Sequence, residues 1–267
     1  DPQQAAIAER AFLVEDFVPE RLDMTLSSAS ESLSPEEQGT INVAGRYLYG
    51  PPAAELGLEG EIVVKPSGKD APGFSGYSFG QADEFVNAVR SALPANLVTD
   101  ADGKAAIAVM LPAIPKTDKP LEAQLIVKLR EQGGRTIERT LTIPVDMKSK
   151  RIGIKPSFQG AMAPEDETVS FDVAVAGKDG KPAAEKGLTW TLTRLDTNWQ
   201  WYRRDGNWTY EAVTLKRRIA IGTLDTAADA PANISQKLPW GRYRLDVASA
   251  DPNGPASSFL FSSGWYT

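Results

Sequence analysis

From Leu121 to Leu129 every second residue is apolar, with Leu121, Ala123, Leu125, Val127 and Leu129 in unbroken alternation. Successive side chains of an extended chain point to opposite faces, so this period of two describes a strand with one face buried. The pattern governs most of the chain. In the first half it organises Leu22, Met24 and Leu26; Ile41, Val43 and Tyr47; Leu56, Leu58, Ile62 and Val64; Ala105 to Leu111; and Ile137, Leu141, Ile143 and Val145. Phe12 to Val18, closed by Pro19, is a further strand candidate. In the second half it organises Ile152 to Phe158; Val169, Phe171, Val173 and Val175; Leu188, Trp190 and Leu192; Leu215 to Leu224; Ile234 to Leu238; Tyr243, Leu245 and Val247; and Ser257 to Phe261. Many short alternating strands between turn signals define an all-β chain of antiparallel β-sandwiches.

Two segments break the pattern. Pro66 to Gly80 is rich in Gly and Pro and reads as a long surface loop. Within Asp83 to Leu93, the residues Phe85, Val86, Val89 and Leu93 fall near helical spacing and Pro94 follows, so a short helix is expected there.

A length of 267 residues suits two ordinary domains. The charged stretch Met147 to Arg151 is the expected junction, dividing the chain into 1–147 and 148–267. The first part carries 13 Lys/Arg against 22 Asp/Glu, a net of −9, and the second 16 against 13, a net of +3. The halves echo one another at Asp102-Gly103-Lys104 and Asp179-Gly180-Lys181, both Asp-Gly turns beside strands. An overall charge of −6 argues against nucleic acid as a partner. No apolar run is long enough to span a bilayer, so the segment itself is expected to make no membrane contact. The chain opens on Asp1-Pro2-Gln3-Gln4, without a leader pattern, and is expected to be an excised piece of a longer protein.

The chain contains no histidine and no cysteine. Imidazole and thiol chemistry, disulfides and soft-metal sites are thereby excluded. Serine without histidine cannot form the familiar triad. Asp100, Asp102 and Gly103 lack the distal bidentate acid that a calcium loop requires, and read as a turn. Glu36-Glu37 and Glu165-Asp166-Glu167 read as solvated turns. No catalytic, cofactor or metal site is assigned, and the chain is expected not to be an enzyme.

One constellation stands out. All six tryptophans lie in the second half. Three of them fall in Asn198-Trp199-Gln200-Trp201-Tyr202-Arg203-Arg204-Asp205-Gly206-Asn207-Trp208-Thr209-Tyr210. Asp205-Gly206-Asn207 turns a hairpin that puts Trp199, Trp201 and Arg203 on one side, with Trp208 and Tyr210 returning beside them. Trp199, Trp201, Tyr202, Arg203, Arg204, Trp208 and Tyr210 are the candidate interaction surface. The hairpin packs on its own sandwich or a neighbouring domain, or serves as an aromatic platform for carbohydrate or peptide; stacking on nucleic acid fits the acidic chain least. Lys216-Arg217-Arg218 fits a strand edge guarded against aggregation.

Several stretches together resemble the bacterial alpha-2-macroglobulin family. They are Phe12 to Met24, Tyr47-Leu48-Tyr49-Gly50-Pro51-Pro52-Ala53-Ala54, Thr99 to Lys104 leading to Leu111-Pro112, the Trp199–Tyr210 segment, and Gly241-Arg242-Tyr243-Arg244-Leu245. The resemblance covers nearly the whole chain. It implies two consecutive macroglobulin-like, fibronectin-III-like sandwiches from a large periplasmic lipoprotein held at the cell inner membrane and serving bacterial defence. Such proteins are endopeptidase inhibitors: cleavage of a bait segment triggers a shape change, and in many members a thioester then couples to the protease. The thioester pattern Cys-Gly-Glu-Gln is absent from this sequence. The resemblance therefore implies an internal, non-catalytic scaffold upstream of the reactive domain, with adjacent domains of the parent chain and target proteases as partners. Pro66 to Gly80 is read as an ordinary loop, not as bait.

Overall fold

The computed structural model describes residues 21–131, 133–146 and 149–264, apart from the Arg204 side chain. The strand candidate at Phe12 to Val18 and the junction residues Met147 and Lys148 lie outside the described residues. Among the described residues there is no α-helix.

The first domain contains β1 (Leu22–Ser28), β2 (Gly39–Tyr47), β3 (Gly57–Pro66), β4 (Ser78–Phe79), β5 (Val89–Ala92), β6 (Leu97–Val98), β7 (Lys104–Val109), β8 (Leu121–Arg130) and β9 (Thr136–Pro144). β1-β2-β7 form one sheet and β5-β3-β8-β9 the other, with β6 also on β3. The alternating positions of β8 face the other sheet: Ala123, Leu125, Val127 and Leu129 are fully buried, packed in one core with Ile41, Ile62 and Ile107. Thr99 is buried among them, and its hydroxyl donates to the Ala53 carbonyl (2.6 Å) while accepting from the Leu56 amide (2.9 Å). Gly60 lets β3 and β8 approach, since a Cβ there would lie 2.1 Å from the Ile126 carbonyl oxygen. Gly60→Ala is expected to destabilise this domain by at least about 1–3 kcal/mol, the usual cost of overpacking, read from its urea midpoint.

The second domain contains β10 (Arg151–Pro156), β11 (Met162–Ala163), β12 (Thr168–Ala176), β13 (Pro182–Ala183), β14 (Glu185–Arg204), β15 (Asn207–Thr226), β16 (Ala232–Lys237), β17 (Gly241–Ala248) and β18 (Ala256–Ser263). One sheet runs β13-β12-β10-β4 with β16 also on β12, and the other β11-β18-β17-β14-β15. Phe171 centres the core, its ring 5.1 Å from Phe261 and 5.8 Å from Phe158. Tyr243 stacks on Phe261 at 5.6 Å, and its hydroxyl donates to the Pro239 carbonyl at 2.9 Å. That local bond back to the chain satisfies the one polar group of an otherwise apolar side chain.

Two expectations are corrected. No helix forms over Asp83 to Leu93; Val89–Ala92 is strand β5, antiparallel to β3 from Glu61↔Ala92 to Val64↔Val89. A helix this short is marginal in water without a packed face. Phe85 stays 86% exposed, so no such face exists, while the open edge of β3 offers backbone partners. Nor is Pro66 to Gly80 only a surface loop: Phe74 and Phe79 are buried, and β4 within it pairs with β10 of the other domain.

Candidate functional site

Two features are candidates for function: one joins the two domains, and the other projects from the β17-containing sheet of the second. The first is the clasp made by residues 66–87. β4 crosses to the second domain, with Gly153 opposite Phe79 and Ile154 opposite Ser78. Phe74, Phe79 and Ala176 form a small core of their own, with the Phe74 and Phe79 rings edge-on at 5.5 Å. Lys155 Nζ lies 5.6 Å from the centre of the Tyr77 ring. Gly153 makes room for this: a Cβ there would lie 2.9 Å from the Phe79 ring.

Two serines and an arginine complete the clasp. Ser257 Oγ accepts from the Gly80 amide (2.8 Å) and donates to the Ile152 carbonyl (2.6 Å). Ser258 Oγ accepts from the Ala82 amide at 2.8 Å, and the Ser258 amide donates to the Gly80 carbonyl at 3.0 Å. Arg244 donates to Asp83, to Gln81 and to Asp246 of its own strand, each at 2.7 Å. Hydrogen bonds between ionised partners are roughly twice as strong as neutral ones. Nearby, the Asp118 carboxylate accepts from the Ala256 amide at 3.0 Å.

The hydrogen bond from Arg244 holds the Asp83 carboxyl below its ordinary value of 3.8. Burial alone would depress the Arg244 pKa, but its bonds to Asp83 and Asp246 raise it overall. A lowered carboxyl pKa contributes stability above the ordinary value and loses it as pH falls through the lowered one. Asp83→Asn is therefore expected to flatten part of the stability loss seen below about pH 4. The effect, read by urea unfolding across pH, is under about 1 kcal/mol because the Asp83 side chain is 62% exposed. In the cleft between the domains, burial pulls the Arg151 guanidinium down to about 10, opposed by the charge of Asp118.

The second feature is an arm. β17 pairs with β14 only as far as Leu195↔Arg242. From Asp196↔Leu215 to Arg204↔Asn207, β14 and β15 pair with each other alone. Asp205 and Gly206 have φ of 51° and 84°, which makes the two-residue turn that hairpin twist favours. β14 and β15 are each a continuous strand of 20 residues, longer than the separate apolar runs at Leu188 to Leu192 and Leu215 to Leu224. Polar alternation beyond Leu195 fits a ribbon that has left the core behind.

The register places Trp201 opposite Tyr210 and Arg203 opposite Trp208, with Trp199 next on the same face. Tyr210 lies between the two indoles, 5.3 Å from Trp199 and 5.1 Å from Trp201. Tyr202 faces the other way, opposite Thr209, so it does not join the ladder. The Arg203 side chain donates back to the Gly206 carbonyl at 3.2 Å; that of Arg204 lies outside the described residues. The rings meet at 65° and 51°. The three rings are therefore inclined to one another and do not form one continuous flat plane. Lys216, Arg217 and Arg218 lie within β15, the edge strand of its sheet. The sequence signal for the arm was its aromatic cluster; the clasp left no such signal. Asp100 is a turn residue, its carboxylate accepting from the amides of Asp102 (2.9 Å) and Lys104 (2.8 Å). Among the described residues, no group of three Asp or Glu side chains comes together as a metal ion would need.

Residues 20–146 match the family described as "Bacterial Alpha-2-macroglobulin MG5 domain", and residues 153–265 match "Bacterial macroglobulin domain 6". The two sandwiches are thus a tandem pair of macroglobulin domains, non-catalytic structural modules. The chain belongs to the bacterial alpha-2-macroglobulin family. It is 29% identical to the alpha-2-macroglobulin of Xylella fastidiosa (strain 9a5c) over 99% of its own length. It is 28% identical to that of Escherichia coli (strain K12) over 95% of its length. The chain spans 16% of the length of these curated relatives. Among solved structures, Salmonella alpha-2-macroglobulin reacted with methylamine matches over 94% of this chain and 17% of its own, at TM-score 0.69 and 27% identity. The native conformation of the E. coli protein matches over 96% and 17%, at TM-score 0.66 and 26% identity. The E. coli protein activated by porcine elastase matches over 94% and 22%, at TM-score 0.67 and 26% identity.

Proposed function

We propose that this chain is a rigid internal segment of a periplasmic, membrane-anchored protease-trapping inhibitor, and that it carries bait-triggered movement through as one body. The observation that carries this reading is the clasp. A hinge between two sandwiches needs a small, wet interface. Here a strand pair, a buried aromatic cluster and a three-way arginine bind the first domain's loop to the second domain's sheet. The boundary between the two working units is proposed at residues 147 and 148.

Two measurements test the proposal. Incubated alone with elastase or trypsin, the chain is expected neither to inhibit nor to form an adduct; inhibition by this piece alone overturns the scaffold reading. In the intact parent, fluorophores at the exposed positions Leu48 and Ala230 are expected to keep their separation when protease is added. A change in that distance overturns the single-body reading.

A further inference from the structure

The arm is a two-stranded ribbon, a form only marginally stable in water by itself. It nevertheless exposes Trp199, Trp201, Trp208 and Tyr210 at 61%, 65%, 69% and 57%. Aromatic side chains with arginine beside them are the residues that dominate protein interfaces. Strand geometry says which way this surface faces. Thr193 lies opposite Arg244, and the same face of β14 continues through Leu195 and Thr197 to Trp199 and Trp201. Arg244 is the residue that grips Asp83 and Gln81 of the first domain. The aromatic ladder is thus an outward extension of the sheet face that holds Gln81, Ala82 and Asp83 of the first domain. Along the arm the charge on this face has one sign: Arg203 and Lys216 bracket the ladder, while Asp196 and Glu211 fall on the opposite face.

We propose that the aromatic face of the arm seats a further domain of the parent polypeptide, apolar at its centre and acidic at its rim, alongside the first domain. The proposal rests on reading the chain as an internal segment. Its relatives are about six times longer than the chain, so such a domain would be held nearby by covalent linkage, at an effective concentration that a free partner seldom reaches. An intramolecular seat also accounts for continuity with an interface that is itself intramolecular.

The test is hydroxyl-radical footprinting with mass spectrometry, comparing the 267-residue chain with the intact parent. Trp199, Trp201 and Trp208 are expected to oxidise at least fivefold more slowly in the parent. Trp190, which packs over Gly222 in the body of the domain, is the internal control and is expected to be unchanged. Trp201→Lys in the parent is expected to return Trp199 and Trp208 to the rate of the free chain. Equal oxidation in both samples overturns the proposal. So does protection of the free chain that rises with its concentration, which would indicate a second copy, or protection that needs added oligosaccharide. Neither readout uses protease inhibition or the Leu48–Ala230 distance, so the seat can fail while the scaffold reading stands, and the reverse.

Discussion

Replacing Phe79 with alanine is expected to split a single cooperative unfolding transition of the two-domain chain into two. Phe79 is buried to 7% exposure on residues that neither domain core contains, its ring against Phe74 and over Gly153. Truncating a buried phenylalanine costs about 3–5 kcal/mol. In this position the loss falls on the contact between domains, because the first core lies between the β1-β2-β7 and β5-β3-β8-β9 sheets and the second around the Phe171 cluster. Calorimetry should show the separate melting of each sandwich, and small-angle scattering a longer maximum dimension. Gly153→Val tests the same contact from the other side, since its side chain would displace the Phe79 and Tyr77 rings. If both variants melt in one unaltered transition, the domains are coupled through something other than the clasp.

The sandwiches were legible in the sequence because their information is local. Leu121 to Leu129 and Val169 to Val175 alternate strictly, and burial follows that alternation residue by residue. The facing of Trp199, Trp201, Trp208 and Tyr210 was legible for the same reason: an Asp-Gly turn sets a hairpin register, and register sets faces. The clasp was not legible. Gly80 meets Ser257 across 177 residues, and Asp83 meets Arg244 across 161. Nothing in a Gly- and Pro-rich stretch says which distant surface it will bind. The helical spacing of Phe85, Val86, Val89 and Leu93 misled because a period describes a face only where something covers it. In the structure Leu93 alone of the four enters the core, while the amides of Gly80 and Ala82 and the carboxylate of Asp83 are tethered to the second domain.

Phe171→Ala is expected to unfold the second domain selectively, with a loss of about 3–5 kcal/mol. The ring has no exposure and lies within 5.1–6.3 Å of Phe158, Phe259 and Phe261, so its removal leaves a cavity walled by other rings that cannot all close in. Set against a typical domain stability of about 5–15 kcal/mol, that is a large share, and the melting temperature should fall by on the order of 10 °C or more. The first domain provides the sharper part of the prediction. Its own core is untouched, yet β4 borrows its backbone partners from β10. Once the second domain melts, Phe74, Phe79 and Asp83 lose what they pack against and pair with. The first domain should then melt earlier than in the parent chain, by about the amount that Phe79→Ala takes from the clasp. Hydrogen exchange read peptide by peptide separates the two effects: protection of β12 and β17 should collapse first, then that of residues 74–83, while β8 keeps its protection longest. Simultaneous loss across both sandwiches would mean that the clasp couples the two cores too tightly for the first to outlast the second.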